Sequence, residues 1–138
     1  IHMLLSTLNR KEKLKFLDLA LHMVVVDGNP SDLETRLLNM MLAEVGDNII
    51  AEYHFERSDS LEETIQFFDV LDEKIQRIVY LNLIRISLSE DIYNTSEHEF
   101  LEMIRSRFHI KDDVKQALIR EIYKEKDVRE RISKIVGS

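Results

Sequence analysis

The sequence predicts an all-α protein: a compact bundle of about six to seven helices, built from two related helix–turn–helix halves and completed by a long C-terminal helix. Apolar residues recur at helical spacing along most of the chain. Glycine and proline, which interrupt helices, number only three and one among 138 residues. An apolar helix, a polar break and a second helix opening on a glutamate occur twice, at 16–34 and 80–97. Such a repeat is typical of an internally duplicated domain.

The first half is predicted from its helix-start and helix-stop signals. The segment 9–12 has the spacing of a capping box, so a helix is expected to begin there and to run to the Asp-Gly turn at 27–28. The segment 31–34 has the same spacing and predicts the start of a second helix. Gly46 is a suitable residue to close that helix.

The rest of the chain is also predicted to be helical. The segment 47–60 is the least regular and is expected to hold one short helix followed by a loop. Helices are predicted over 61–71 and, with a long apolar face, from 72 to about 89. Asn94 is expected to cap the next helix. A last helix is predicted over 112–135, with an apolar stripe that exceeds the needs of a small core.

The chain is predicted to form a single domain over residues 4–138. Its related halves are expected at about 9–45 and 72–110. Residues 1–3 are interpreted as a cloning remnant in which Met3 is the natural start.

Composition excludes several classes of function. The formal net charge of −7 disfavours general nucleic-acid binding, because the chain repels phosphate backbones. The absence of cysteine excludes disulfides, thiolate zinc sites and thiol catalysis. No apolar run is long enough for a membrane span, and no secretory leader opens the chain. We therefore expect a cytoplasmic protein.

The two polar breaks provide the candidate site. Asp27 lies at the C-terminal end of the first predicted helix, and Glu90 and Asp91 lie at the corresponding end in the second half, where helix polarity disfavours an anion. A divalent cation would compensate, with Glu34 and Glu97 reaching back from the following helices. The sequence leaves calcium, magnesium, zinc and manganese open. The ordinary alternative is that these are turn residues and helix-capping glutamates.

Other site classes fail on spacing. An EF-hand beginning at Asp27 needs a glycine where Asp32 stands and a glutamate where Leu38 stands. No histidine has a glutamate three residues before it, as a di-iron bundle requires. There is no phosphate-binding glycine loop and no nucleophile elbow. The sequence therefore predicts a protein that is not an enzyme.

The segment 24–34, with Leu37 and Leu38 after it, resembles the tellurite-resistance TerB-like family, in which an apolar helix ends in Asp-Gly before a serine turn and a glutamate. The second copy departs from the pattern, because Glu90-Asp91 replaces Asp-Gly. The resemblance implies two facing helical halves with an acidic, cation-binding surface between them. It also implies a role in stress or tellurite resistance, as an interaction module at the membrane surface or beside other domains.

Two functions are therefore expected as alternatives. The first is cation binding at the acidic turns in a stress-response domain. The second is a metal-free protein-interaction scaffold, with a protein partner and with the helix over 112–135 as a contact or oligomer element. Association with a membrane would then be peripheral and would depend on partners.

Overall fold

The computed structural model describes residues 3–26, 28, 30–53, 60–89 and 94–137, and this part of the chain is all-α, as predicted. A short 3₁₀ helix (Leu5–Thr7) precedes seven α-helices. The α-helices are α1 (Arg10–Val25), α2 (Asp32–Val45), α3 (Asp47–Glu52), α4 (Leu61–Asp69), α5 (Glu73–Leu88), α6 (Thr95–Arg107) and α7 (Asp112–Val136).

The predicted helix starts are confirmed at their capping residues. Asn9 and Glu12 form a full capping box at the start of α1, and Ser31 and Glu34 form one at the start of α2. Gly46 ends α2 with a φ of +102°, a conformation that favours glycine. The boundaries follow the sequence because each cap is a contact between residues three apart.

The centre of the bundle is α5. Every residue from Ile78 to Ile86 is buried, so this helix is enclosed on all sides. It packs against α1, α2, α4, α6 and α7, and α1 in turn packs against α2, α3 and α4. The pair α1–α2 and the pair α5–α6 correspond to the two predicted halves, whose relation stays a prediction, and their buried first helices lie against each other.

The N-terminal segment belongs to the same core. Met3, Leu5 and Leu8 are buried, and the side-chain amide of Asn82 donates to the main-chain carbonyl of Met3 at 2.8 Å. A second hydrogen bond from the same amide reaches Ile78 O at 2.8 Å. The interpretation of residues 1–3 as a cloning remnant stays a prediction, but the side chain of Met3 is part of the folded core.

The longest helix, α7, lies on the surface of the bundle and has no buried residue. Its first half packs on the core through Val114, Leu118, Ile119 and Ile122, whereas residues 127–137 are all exposed. We call residues 126–136 the overhang. Throughout the described ranges, every helix is too short or too polar to serve as a membrane span.

Candidate functional site

The predicted ligand Glu34 is buried at the start of α2, where its carboxylate has a structural role. Glu34 Oε1 accepts the main-chain N–H of Ser31 at 3.2 Å, and Ser31 Oγ accepts the N–H of Glu34 at 3.1 Å. The capping box that the sequence offered as the ordinary alternative is therefore present. A capping glutamate is usually exposed, however, and this one is 3% exposed.

Glu97 occupies the corresponding position in the second half. Its main-chain N–H donates to Asn94 Oδ1 at 2.9 Å, and its side chain is also buried. By contrast, Glu63 is the third residue of α4, after the N-cap Ser60, and it is exposed. The third-position glutamate is therefore buried in α1 (Glu12), α2 and α6, and it is exposed in α4.

The other three predicted ligands, Asp27, Glu90 and Asp91, lie outside the described residues. Among the residues that are described, no group of three or more histidine, aspartate or glutamate side chains is placed to hold a metal ion. Glu34 and Glu97 thus do not form a donor set with other described side chains. Any cation site would need the carboxylates of the turns themselves, since hard cations take six or more oxygen ligands.

The overhang of α7 presents a second candidate site, an apolar stripe in solvent. Val128, Ile132, Ile135 and Val136 are 43, 55, 83 and 72% exposed. They follow one another at helical neighbour spacing, so they form one continuous patch. Together they expose on the order of 400 Å², which is the size of the largest apolar patches on ordinary monomers, and such patches often mark binding sites.

A buried ion pair fixes α7 to the bundle just before the overhang begins. The guanidinium of Arg85 on α5, which is 6% exposed, donates from Nη1 to Glu125 Oε2 at 3.0 Å and from Nη2 to Glu125 Oε1 at 3.2 Å. The two parallel bonds have the fork geometry in which arginine binds carboxylates most strongly. Glu125 is therefore a point at which the bundle holds α7 through α5.

Nearer its start, α7 is held by a surface network. Lys115 Nζ on α7 donates to Glu102 Oε1 at 2.6 Å, and Arg105 Nε donates to Glu102 Oε2 at 2.7 Å. The hydrogen bond from Lys115 is the main reason that the pKa of Glu102 lies below its ordinary value. Burial, and next the charge of Glu102, raise the pKa of the nearby Tyr80 phenol, so it stays neutral.

Sequence reasoning missed the buried polar side chains on the two central helices. Asp18 on α1 accepts a hydrogen bond from the Tyr53 hydroxyl at 2.7 Å, and Asn82 and Arg85 lie within the enclosed part of α5. A signal was present, because each of the three interrupts an otherwise apolar run. Their partners lie far along the chain, so spacing could not identify them.

His22 is only partly buried, and its ring lies 4.7 Å from the ring of Phe100 on α6, measured between centroids. In the comparisons with known proteins, no family model, no curated protein and no solved structure matches this chain.

Proposed function

We propose that this chain is a non-enzymatic interaction domain that binds a protein partner through the overhang of α7. The observation that carries the proposal is the exposed apolar stripe of Val128, Ile132, Ile135 and Val136. The stripe follows the ion pair between Arg85 and Glu125 along α7. Exposing four aliphatic side chains on one helix face opposes solubility, and a partner that covers them removes them from water.

The position of the stripe supports a binding role over a structural one. Residues 127–136 continue α7 beyond its contacts with the core, and all of their side chains are exposed. A helix that extends beyond its own core and keeps an apolar face offers the ridge that helix-recognising grooves accept. Arg85 holds the root of this helix at Glu125, so the binding element is presented in a fixed direction.

The test is affinity capture from a lysate of the source cells in the presence of a chelator. We expect the double variant Val128→Ser/Ile132→Ser to lose captured partners at least about tenfold, since each lost aliphatic contact weakens binding. The matched control is Val70→Ser, which removes an aliphatic side chain that is 85% exposed elsewhere on the surface. Equal capture by the double variant and the control, or no capture by the unaltered chain, would reject the proposal.

A second candidate is the binding of a divalent cation, namely calcium, magnesium, zinc or manganese, at the acidic turns. It rests on the position of Glu34 and Glu97 beside the acidic turns, since the burial that they share with the capping Glu12 of α1 does not itself point to a ligand. The resemblance to the TerB-like family supports this candidate and would connect it with stress or tellurite resistance. Asp27, Glu90 and Asp91 would supply the remaining oxygen ligands.

Calorimetric titration with each of the four cations tests this candidate. The paired variant Asp27→Asn with Glu34→Gln is expected to abolish saturable binding, and glutamine keeps the capping hydrogen bond at position 34. Glu63→Gln is the matched control, because it removes the same charge from the same helical position of α4, where the glutamate is exposed. Binding that is absent, or indifferent to the paired variant, would exclude the site.

A further inference from the structure

We infer that the partner of the overhang is an amphipathic helix whose apolar face is flanked by acidic side chains. The inference rests on the proposed function of α7 and specifies the chemistry of the partner. Three properties of the described residues carry it: the direction in which the stripe faces, the charges beside the stripe, and the limited size of the stripe.

The stripe lies beside the face of α7 that packs on the bundle. Val128 and Ile135 lie two and three heptads after Val114, and Ile132 lies two heptads after Leu118. Val114 and Leu118 pack against the core. A helix drifts about 20° per heptad, so the stripe is turned by about 40–60° from them. Glu121, one heptad after Val114, is already exposed.

The length of the overhang limits the size of a partner. The overhang is about 16 Å long at 1.5 Å per residue. A single helix, about 10 Å in diameter, can lie along it and cover the stripe.

The charges beside the stripe are positive. In the heptad pattern that places Val128, Ile132 and Ile135 at the apolar positions, Arg129 and Arg131 occupy flanking positions, and Lys124, also at a flanking position, is paired with Glu121. The acids Asp127 and Glu130 fall on the opposite face of the helix. Glu125, which lies in the row of the stripe, is bound to Arg85.

A second copy of this chain is a poor occupant of the stripe. In either orientation, two overhangs that packed together would place arginine flanks beside arginine flanks, which repel. A helix with glutamate or aspartate at its flanking positions meets the same stripe with opposite charges.

The partner is thus described by its own heptad pattern. It carries aliphatic residues at the two apolar positions and acids at the two flanking positions, and it lies alongside α7 as a second strand of a short coiled coil. Its affinity depends on the ionic strength, because the flanking charges are exposed and screened by salt.

The experiment uses two labelled synthetic peptides, each about three heptads long with the same leucine and isoleucine positions. One has glutamate at every flanking position, and the other has lysine there. Binding to the full chain is measured by fluorescence anisotropy. We expect the glutamate peptide to bind at least about tenfold more tightly than the lysine peptide, and the preference to fall at high salt.

A charge-reversal variant makes the test specific. Arg129→Glu/Arg131→Glu is expected to exchange the preference, so that it binds the lysine peptide more tightly than the glutamate peptide. The control Arg36→Glu/Lys74→Glu makes the same change in net charge at exposed positions on α2 and α5 and is expected to keep the original preference. An exchanged preference in the control would show general attraction between charges and would overturn the inference.

Three other results would also overturn it: equal binding of the two peptides, no binding of the glutamate peptide at roughly 100 μM, or binding of phosphatidylserine vesicles in place of the peptide. A concentration-dependent dimer that Ile132→Ser disrupts, measured by light scattering, would point to a second copy and would count against the inference. If cellular partners are lost in Val128→Ser/Ile132→Ser while the glutamate peptide does not bind, the interaction surface stands and only the partner's chemistry is wrong.

Discussion

Replacing Glu125 by alanine is expected to lower the free energy of unfolding by about 2–3 kcal/mol. The substitution removes the two Glu125 acceptors, at 3.0 and 3.2 Å, from the guanidinium of Arg85, a cation that is 6% exposed. Breaking a fully buried pair costs about 3–5 kcal/mol. Glu125 itself is 28% exposed, so water can enter part of the vacated space, and the expected cost lies below that range.

Two further variants separate charge from hydrogen bonding. Glu125→Gln keeps one acceptor oxygen and is expected to cost about half as much as the alanine variant. The double variant Arg85→Met/Glu125→Leu removes both charges together and is expected to return the free energy of unfolding to within about 1 kcal/mol of the unaltered chain.

The assay is urea unfolding followed by far-ultraviolet circular dichroism, which gives the free energy of unfolding and its dependence on urea. Glu121→Ala is the matched control on the same helix, because Glu121 pairs with Lys124 and both side chains are about two-thirds exposed. An exposed pair contributes only about 0–1 kcal/mol. If Glu125→Ala and Glu121→Ala agree within about 0.5 kcal/mol, the ion pair does not hold α7 and the reasoning is refuted.

Three other substitutions test local features of the bundle. Ser31→Ala removes the N-cap hydroxyl of α2 and should lower the free energy of unfolding, measured in urea, by about 1 kcal/mol. Tyr53→Phe removes the hydroxyl that donates to buried Asp18 at 2.7 Å, which should cost about 1–3 kcal/mol in urea unfolding. The hydrogen bond from Lys115 keeps the pKa of Glu102 below the ordinary 4.5. This pair therefore stabilises the fold above that pH, and the stabilisation is lost as the pH falls below it. Lys115→Met should make the urea midpoint of unfolding depend less on pH across the acid range.

Each of the three has a control elsewhere on the surface. Ser96→Ala changes an exposed first-turn serine of α6 that is not the cap, so a cost equal to that of Ser31→Ala would contradict the capping argument. Tyr123→Phe alters an exposed phenol and is expected to be neutral. Lys124→Met changes an exposed pair, and an acid dependence as flat as that of Lys115→Met would show that the Glu102 contact is not responsible.

The helices could be predicted from the sequence because their starts and stops are local. Asn9 and Ser31 cap helices through contacts three residues along the chain, and Gly46 ends one through its own backbone. The 3₁₀ helix at Leu5–Thr7 was not predicted. The segment it belongs to is held in place by Asn82, whose contact with Met3 spans 79 positions. No pattern within a helical turn contains that information.

The candidate sites could likewise be predicted only as far as their signals are local in the sequence. The positions of Glu34 and Glu97 follow from the repeat, but their burial depends on how whole helices pack. The excess apolar stripe of α7 is visible in the sequence. Which part of the stripe packs on the core depends on where the bundle ends. That position is visible only in the structure, where Arg85 on α5 binds Glu125 on α7.

The hydrogen bond between Asn82 and Met3 cannot form until the chain has been synthesised as far as α5. Ribosomes add about 5–20 residues per second, so Asn82 is synthesised several seconds after the Met3 carbonyl that accepts its hydrogen bond. The apolar side chains of α1 also remain partly uncovered during this time, because α5 is one of the helices that cover them. A nascent chain that stops before α5 therefore leaves the apolar side chains of α1 without one of the helices that cover them.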